Sequence, residues 1–350
     1  MRWSQQRGSV YLGEQKLPIR FTHVRNVHTH TEVPLATYER LQTPRALDAG
    51  LWRRVLVGLS CGQYQECAEV VPEAFGLSRS TVSRRFIRAS ARQLKALLDR
   101  PLTEDFVAVF LDGKSVAEEA VVLAVGITLQ GKKVLLGLVQ TATENARVLT
   151  EFLQGLVARG LRVETGLLWI IDGGKGLRAA IHAVAGPEAV IQRCQWHKRE
   201  NVVSYLPKTR QAAVRAQLQT AYRQPTYAAA KAQLEALERT LARENPSAAA
   251  SLREGLEETL TLHRLGLAPV LSQSFATTNV LESINAQVER RIRRVTRWQS
   301  GEQKLRWVAS ALLELEPRLR RVKGYRALPQ LRAAIRRCTT SAIELTAQAA

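Results

Sequence analysis

Two aspartates follow short apolar runs, and each stands directly before a glycine. Asp112 lies in FLDGK and Asp172 lies in IIDGGKG. A carboxylate at the end of a buried strand lies at the sheet edge where α/β proteins bind ligands and metals, and the following glycines let a phosphate approach the backbone. Asp-Gly is also a common turn dipeptide, so either aspartate alone could mark only a turn. Their joint occurrence on neighbouring predicted strands favours a site.

A third carboxylate, Glu282, lies in TTNVLESIN near the start of a predicted helix. Glu282 could simply cap that helix, with Asn279 as the N-cap residue three positions earlier. Two aspartates and one glutamate are also the hard oxygen ligands that a pair of Mg²⁺ ions takes, and two such ions can act on both oxygens of a phosphodiester. The helix is indicated by an apolar stripe at spacings of three and four, formed by Leu281, Ile284, Val288, Ile292 and Val295.

A cysteine and a histidine three positions apart, Cys194 and His197, lie in RCQWHKREN with Trp196 between them. A structural zinc site needs four ligands, and no partner pair of Cys or His occurs at a matching spacing, so no zinc is expected. We interpret Cys194 and His197 as groups that shape an active-site edge or contact DNA, and Trp196 as a ring that could stack on an unpaired base. The alternative is that Cys194 and Trp196 are core residues and His197 lies on the surface.

The apolar runs also predict the elements that must position these side chains. Runs 105–113, 120–140 and 166–174 are rich in Val, Leu and Ile and are broken by Gly or charges, which is typical of buried strands; the middle run predicts a hairpin at Gln130 and Gly131. Residues 144–160 predict a crossover helix that ends at Gly160. Three strands in a meander, a helix and a fourth strand favour an α/β fold with a mixed sheet of the ribonuclease H type.

Helical patterns flank this sheet. Residues 50–98 are predicted to be helical, and Gly76 supplies a turn before a helix that Ser78 or Ser80 can cap. Val82, Phe86 and Ala89 share one face of that helix. This arrangement predicts the second helix of a helix-turn-helix, although Pro72 interrupts the preceding helix and an ordinary basic amphipathic helix is the alternative. The residues expected to point outward are Arg79, Ser83, Arg84 and Arg88.

The patterns divide the chain into six segments. Residues 1–48 form a segment of uncertain structure, 49–100 a helical DNA-binding region, and 101–198 the first part of a ribonuclease H-like catalytic core. Residues 199–270 form a helical insertion, 271–300 the core helix that carries Glu282, and 301–350 a basic helical C-terminal region.

Composition restricts the class of protein. The chain has 350 residues, with 51 Lys and Arg against 31 Asp and Glu, which gives a net charge of +20 and a pI near 10.5. Such a charge predicts a polyanionic partner, most commonly nucleic acid. The four cysteines show no disulfide spacing, and no apolar run suits a membrane span or a signal peptide. We therefore expect a cytoplasmic, nucleoid-associated protein with no membrane partner.

Taken in order, several motifs resemble the Mutator-type DDE transposases of bacterial insertion sequences. These motifs are FLDGK, AVGITLQGKKVLLGL, LVARGL, IDGGKGL, QRCQWHKREN and TTNVLESIN, and the resemblance covers about residues 50–325. It implies that Asp112, Asp172 and Glu282 bind the catalytic metals. It also implies that Cys194 and His197 form the family's Cys-x-x-His element and that the run 199–268 is the family's helical insertion.

The resemblance implies a DNA transposase that binds terminal inverted repeats and then cleaves and joins strands with Mg²⁺ or Mn²⁺, using two ions. Terminal repeats and target DNA are the expected partners, together with a second copy of the chain in a homodimer or larger assembly. Lys114 is expected near a phosphate. The other expected DNA contacts are Arg79, Ser83, Arg84, Arg88, Lys175, Trp196, His197, Lys198, Arg290, Arg293, Arg294 and Arg297.

Two other functions fit parts of the pattern. A helix-turn-helix regulator with an α/β ligand domain would use Asp112 and Asp172 as ligand contacts and would not need Glu282. A ribonuclease H-like nuclease would share the metal site but would not transfer strands. The substitution Glu282→Gln should leave the regulator fully competent, so it distinguishes a regulator from a transposase. A nuclease would not join a precut end to another strand, so a joining assay distinguishes it from a transposase.

Overall fold

The fold is described from a computed structural model that covers residues 2–42, 47–68, 71–116, 119–141 and 145–349. The chain forms two compact units. One unit contains residues 1–95, 290–297 and 306–314, and the other contains 96–289, 298–305 and 315–350. Within the described ranges, no helix combines the length and the apolar character needed to cross a membrane.

The first unit begins with a β-hairpin that no sequence pattern predicted. Strands β1 (Arg2–Leu12) and β2 (Gln15–Arg25) pair antiparallel, with Leu12 opposite Gln15, and the short β3 (Glu32–Val33) pairs with β2. Gly13 at the hairpin turn has φ of 59°, a conformation that glycine adopts without strain. Three helices follow, α1 (Ala36–Gln42), α2 (Leu47–Val57) and α3 (Arg79–Asp99).

Helix α3 has the predicted amphipathic character. The Ser78 carbonyl accepts from Val82 N–H at 2.9 Å, so Ser78 occupies the N-cap position. Val82, Phe86 and Ala89 are buried, and the rings of Phe86 and Trp307 lie 4.7 Å apart. The expected run of helix from 50 to 98 is wrong, because the described residues between α2 and α3 (58–68 and 71–78) form turns and bends. A helix-turn-helix joins its helices by a tight turn, whereas α2 ends at Val57 and α3 begins only at Arg79, so these two helices are not joined in that way.

The second unit contains the predicted mixed sheet. Strands β4 (Phe106–Val116), β5 (Glu119–Thr128) and β6 (Lys133–Thr141) form an antiparallel meander, and the hairpin turn closes where Gly131 N–H donates to the Thr128 carbonyl. Helix α4 (Ala146–Ala158) crosses to β7 (Leu168–Ile171), and α5 (Lys175–Ala185) crosses to β8 (Val190–Arg193). The strand order is β6-β5-β4-β7-β8, with β4, β7 and β8 parallel. The mixed α/β sheet is therefore confirmed, whereas β8 had not been predicted.

Alternating side chains hold the sheet between two layers. Val109 and Leu111 of β4 belong to the core cluster that also contains Leu153 of α4 and Ile181 of α5. Phe110 faces the opposite side, where its ring lies 5.7 Å from that of Phe275. Each fully buried side chain of this size stabilises the fold by about 1.5–3 kcal/mol. The sheet is thus covered on both faces, which explains why its strands read as continuous apolar runs.

A segment of seven helices within the described residues directly follows β8. Its first five helices pack on a core of their own that includes Val214, Leu218, Leu234 and Leu252. The helices are α6 (Gln195–Ser204), α7 (Lys208–Tyr222), α8 (Tyr227–Glu244), α9 (Pro246–Arg253), α10 (Leu256–Thr259), α11 (Thr261–Arg264) and α12 (Ala268–Phe275).

This helical segment closes the exposed edge of the sheet at β8. Thr261 Oγ1 donates to the Ile191 carbonyl at 2.6 Å, and Leu262 N–H donates to Gln192 Oε1 at 3.0 Å. Gln192 Nε2 in turn donates to the Thr259 carbonyl at 2.9 Å. An edge strand carries unpaired backbone groups, so these bonds protect β8 from pairing with another chain.

The last helices are α13 (Asn279–Ile292), α14 (Gly301–Leu315) and α15 (Leu328–Ala349). The predicted stripe on α13 is buried from Leu281 to Ile292, but Val295 lies beyond the helix end, so the expected helix through Val295 is wrong. The expected helical C-terminal region is interrupted. Between the 3₁₀ turns Glu316–Arg318 and Tyr325–Ala327, residues 319–324 form a non-helical segment, which we call the strap.

Candidate active site

Parallel pairing of β4 with β7 brings the two predicted aspartates to the same edge of the sheet. Leu111 stands opposite Ile171 in this pairing. Asp112 follows Leu111, and Asp172 follows Ile171, so the two aspartates come next along the two paired strands. Asp112 is only 6% exposed, whereas Asp172 is half-buried. Asp172 Oδ1 accepts from Gly174 N–H at 3.0 Å, which fixes the loop between β7 and α5.

The ionisation of Asp112 reports its surroundings. Burial and the charge of Asp172 raise the pKa of Asp112 to about 7, and Glu282 adds to the rise, whereas the charge of His197 lowers it. Desolvation disfavours the anion, and each neighbouring carboxylate repels it further. Asp112, Asp172 and Glu282 therefore lie within electrostatic range of one another.

Glu282 lies in the first turns of α13 but does not cap it. The Thr278 carbonyl accepts from Leu281 N–H at 2.8 Å and from Glu282 N–H at 3.0 Å, so Thr278 stands at the N-cap position. A capping glutamate would be needed one position earlier, where the chain has Leu281. The capping alternative with Asn279 as N-cap is therefore wrong, and the Glu282 carboxylate is left for another role.

Thr278 connects the Cys-x-x-His motif to Glu282. The fully buried Thr278 Oγ1 lies 3.6 Å from Cys194 Sγ, 3.3 Å from His197 Nδ1 and 3.4 Å from Glu282 Oε1. Thr278 N–H also donates to Cys194 Sγ at 3.4 Å, and Gln195 N–H donates to the Ala276 carbonyl at 2.9 Å. The motif thus holds the turn from which the Glu282 helix begins.

Cys194 and His197 stabilise each other's charged forms. Burial acts to raise the pKa of the Cys194 thiol, but the hydrogen bond with His197 and its charge outweigh burial, so that pKa is lowered. The hydrogen bond with Cys194 raises the pKa of His197 to about 9 against its burial, and Asp112 adds to the rise. His197 is therefore a cation near two aspartates at neutral pH.

Arg193 packs against the loop that carries Asp172. Its buried guanidinium lies so close to Gly173 that a Cβ there would be 2.1 Å from Nε. Gly173 also has φ of 111°, which side chains rarely adopt. Arg193 Nη1 donates to the Glu254 carbonyl at 3.1 Å, so the guanidinium joins the Asp172 loop to the end of α9. The glycine after Asp172 is required by this contact.

Two predicted phosphate contacts have other roles. Lys198 is fully buried, its Nζ donates to the carbonyls of Ser251 and Glu254, and burial lowers its pKa to about 8. The predicted DNA contact by Lys198 is wrong, because its ammonium is buried against α9. It hydrogen-bonds to the carbonyls at the end of that helix instead of contacting a phosphate. Lys114 Nζ pairs with Glu289 Oε2 at 2.6 Å rather than standing free for a phosphate.

The other predicted DNA contacts are accessible to different degrees. Trp196 is 42% exposed, with its ring edge-on to His197 at 4.8 Å, so the alternative of a core tryptophan is wrong. Ser83 and His197 are half-buried, and Arg294 Nη1 donates to the Gly58 carbonyl at 3.2 Å. Like Trp196, eight further predicted DNA contacts are exposed, namely Arg79, Arg84, Arg88, Lys175, Arg290, Arg293, Arg294 and Arg297.

The donor set suits a hard divalent cation. All three acidic groups offer carboxylate oxygens, and a cation beside Asp112 would relieve the burial and repulsion that raise its pKa. In the described part of the chain, however, no three His, Cys, Asp or Glu side chains lie close enough together to hold a metal ion. Holding an ion with all three therefore requires the carboxylates to come closer to one another than they lie here.

Sequence reasoning missed the residues that support this site. Thr278 stands in the TTN motif, where a hydroxyl at a helix start is a recognisable N-cap signal. Arg193 directly precedes the Cys-x-x-His motif, but no local pattern indicates that it contacts Gly173. That contact joins distant parts of the chain and follows only from strand pairing.

Fold and site together define an α/β protein with acidic groups at the edge of a mixed sheet and a helical segment between its second and third carboxylates. The chain matches the family model described as Transposase, Mutator family, over residues 10–319. It is 32% identical over 304 residues to the transposase for insertion sequence element IS406 of Burkholderia multivorans, which covers 81% of this chain and 74% of the relative. It is 30% identical over 329 residues to the transposase for element ISRM5 of Rhizobium meliloti, and this alignment covers 91% of this chain and 79% of the relative. The chain therefore belongs to the Mutator family of transposases.

We predict that Gly173→Ala destabilises the protein more than Gly186→Ala. Both glycines have positive φ, but an added Cβ meets Arg193 at position 173 and open space at position 186. The strained backbone alone costs about 1–2 kcal/mol, and the contact with the buried guanidinium adds to it. Denaturant unfolding measures both variants, and equal losses would contradict the role of Arg193.

We predict that Thr278→Val lowers the free energy of unfolding by about 1–3 kcal/mol. Valine keeps the branched shape but removes the hydroxyl that lies beside Cys194, His197 and Glu282. Thr278→Ser keeps the hydroxyl and should lose less. If the serine variant loses as much as the valine variant, packing rather than hydrogen bonding explains the role of Thr278.

We predict that Asp112→Asn stabilises the metal-free protein, and more at high pH. Because folding raises the pKa of Asp112 from 3.8 to about 7, the folded protein binds more protons in that interval, and wild-type stability falls as pH rises through it. The neutral variant escapes this loss, so at about pH 8 it should gain on the order of 2–4 kcal/mol.

Unfolding in EDTA at about pH 5 and about pH 8 tests this prediction. Asp99→Asn, at the exposed end of α3, is the control and should show little gain at either pH. A gain for Asp112→Asn that is the same at both pH values would show that the carboxylate is not destabilised as described.

Proposed function

We propose that this transposase binds the ends of an insertion sequence and catalyses metal-dependent cleavage and strand transfer of DNA. The observation that carries the proposal is the convergence of Asp112 and Asp172 at one sheet edge, with Glu282 close enough to affect the ionisation of Asp112. The names of the relatives, transposases of insertion sequence elements, support the choice of substrate.

The catalytic core in this proposal is ribonuclease H-like. Its support is the strand order β6-β5-β4-β7-β8, in which an antiparallel meander is extended by two parallel strands reached through helices. Asp112 lies on the central strand of this sheet, and Asp172 follows its parallel neighbour. The helical segment 199–270 would then be an insertion between the second and third carboxylates.

Asp112, Asp172 and Glu282 are the groups that would hold Mg²⁺ or Mn²⁺. Two such ions, when bound, would activate the attacking oxygen as a nucleophile and would stabilise the leaving oxygen of the phosphodiester. The buried Asp112 fits this role, since its anion is unfavourable without a cation beside it.

The reaction consists of two in-line displacements at phosphorus. In cleavage, water attacks the phosphodiester at the end of the element, and the broken P–O bond leaves a 3′-hydroxyl. In strand transfer, that 3′-hydroxyl attacks a phosphodiester of the target, and a new P–O bond replaces the old one. The positions of the reacting groups dominate such reactions, so the chain's part is to hold and orient the DNA.

Several residues around the carboxylates suit that task. Lys175 is exposed at the first position of α5, directly after Gly174, where a helix N-terminus and an ammonium both attract phosphate. His197 carries a positive charge near the aspartates, and the exposed ring of Trp196 could stack on an unpaired base.

Binding of the element's ends is assigned to the basic N-terminal region, with residues 49–100 as its centre. The exposed arginines of α3 support this assignment, since Arg79, Arg84 and Arg88 all point away from its buried face. The exposed arginines between 290 and 297 would add contacts to the backbone of the duplex. An insertion sequence has two ends, so we propose a homodimer or a larger assembly as the active form.

The decisive variant is Glu282→Gln. It should bind a labelled duplex that carries the element's end as tightly as the wild type, but in Mg²⁺ or Mn²⁺ its cutting and joining should fall to background, because the neutral amide lacks the negative charge with which a carboxylate binds a hard divalent cation. Glu164→Gln, an exposed carboxylate in the loop before β7, is the control and should remain active.

A precut end, supplied separately, distinguishes joining from cutting. An intact protein that cuts but never joins the precut end would be a nuclease, which contradicts strand transfer. Full activity of Glu282→Gln would overturn the assignment of the third carboxylate.

A further inference from the structure

A groove of about 490 Å³ lies between the strap and α13 within the second unit. We call it the basic groove, because five cationic residues line it, namely Lys133, Arg318, Arg320, Arg321 and Lys323. Among the described residues, no carboxylate lines it. None of these five positions was a predicted DNA contact. Lys133 lies in a predicted strand, and the other four lie in a C-terminal region that was predicted only to be basic and helical.

The strap is held in place although it has no regular secondary structure. Val322 N–H donates to the Gly131 carbonyl at 3.0 Å, and Lys323 N–H donates to Ser274 Oγ at 3.0 Å. Lys133 Nζ donates to the Arg320 carbonyl at 2.8 Å, and the Val322 side chain is buried. Fixing an irregular backbone costs about 1–2 kcal/mol of conformational entropy per residue. These hydrogen bonds and the burial of Val322 offset that cost during folding, so the strap is already ordered before its cations contact a ligand.

The opposite wall of the groove is uncharged and combines polar residues with the apolar Val280 and Ile284. Asn279, Ser283 and Gln287 line it at every fourth position along α13, so they form one stripe on that helix. Hydroxyl and amide groups of this kind commonly contact phosphate and sugar oxygens beside cationic residues. Consecutive helix residues are about 100° apart, so this stripe is adjacent to the face that carries Glu282.

Several cations elsewhere in this unit are paired with neighbouring carboxylates. In the helical segment, Arg210 pairs with Glu244, Arg215 with Glu200, and Arg253 with Glu238. The groove instead gathers its positive charges on one short segment without an acidic lining residue. Such a concentration of one sign attracts a polyanion far more strongly than paired surface charges do.

We propose that the basic groove binds the phosphodiester backbone of duplex DNA without reading its sequence. The inference rests on the proposed function in one respect: DNA is chosen as the polyanion because α13 presents the groove and Glu282 on adjacent faces. The family model matches residues 10–319, so residues 320–323 lie outside the region that it matches. The groove would hold a stretch of DNA next to the reacting strand, where sequence-independent contact suits flanking or target DNA.

The test is the salt dependence of binding to a labelled duplex of unrelated sequence, in EDTA so that no strand is cut. The triple variant Arg320→Gln, Arg321→Gln, Lys323→Gln should lower the slope of log K against log salt by about 2–3, since each phosphate contact contributes about 0.9. Lys133 is left unchanged because it anchors the strap.

A matched control removes the same three charges from another surface. Arg223, Arg239 and Arg243 are exposed on the helical segment, and their change to Gln should leave the slope nearly unchanged. The charge-conserving variant Arg320→Lys, Arg321→Lys, Lys323→Arg should also keep the wild-type slope. Thermal unfolding checks that each variant is folded, and if the triple variant is not, Arg320→Gln alone should lower the slope by about one.

Each outcome decides the inference. A loss of slope confined to the groove variant supports it. An equal loss in the control would show that only net charge matters, and an unchanged slope in the groove variant would show that DNA does not bind there; both overturn it. The proposed function is judged separately by cutting and joining, so an intact protein that shows the groove effect but never cuts would overturn that function alone.

Discussion

The parallel pairing of β4 with β7 is the constraint on which the site depends. It places Asp112 and Asp172 side by side at the end of two buried strands, where desolvation and mutual repulsion oppose ionisation. Neighbouring groups reduce this electrostatic cost. His197 supplies a positive charge, and the Gly174 N–H stabilises the Asp172 carboxylate. The sheet therefore creates an unfavourable cluster of negative charge, and the surrounding elements make it tolerable.

The helical segment after β8 supports this cluster as well as enlarging the protein. Arg193, which packs on Gly173, and Lys198, which is fully buried, both reach the carbonyl of Glu254 at the end of α9. Two buried cations thus donate to the same helix end, where carbonyl oxygens are left without intrahelical partners. Removing the segment would leave both charges unpaired beside the Asp172 loop, so it is a structural requirement of the site.

The parts that the sequence could predict are those whose signals are local. The apolar runs around Asp112 and Asp172 located β4 and β7, and a turn signal at Gly131 located the hairpin, because strand period and turn chemistry depend on adjacent residues. The N-terminal hairpin was missed because its strands are exposed and polar. The burial of Lys198 was missed because it depends on contact with α9, more than fifty residues away in sequence. The placement of the site thus depended on tertiary contacts.

The same electrostatic reasoning explains why the net charge of +20 is compatible with an acidic site. Three carboxylates near one another select for cations, and a DNA strand cannot approach them unless positive groups outweigh the repulsion between phosphate and carboxylate. In the second unit those positive groups include His197 and Lys175, which lie beside the aspartates. They also include the strap cations, which face α13 across the basic groove. Because Arg210, Arg215 and Arg253 of the helical segment are paired with glutamates, part of the positive charge of that segment is neutralised. The distribution of charge, more than its total, therefore determines where a phosphodiester can meet the carboxylates.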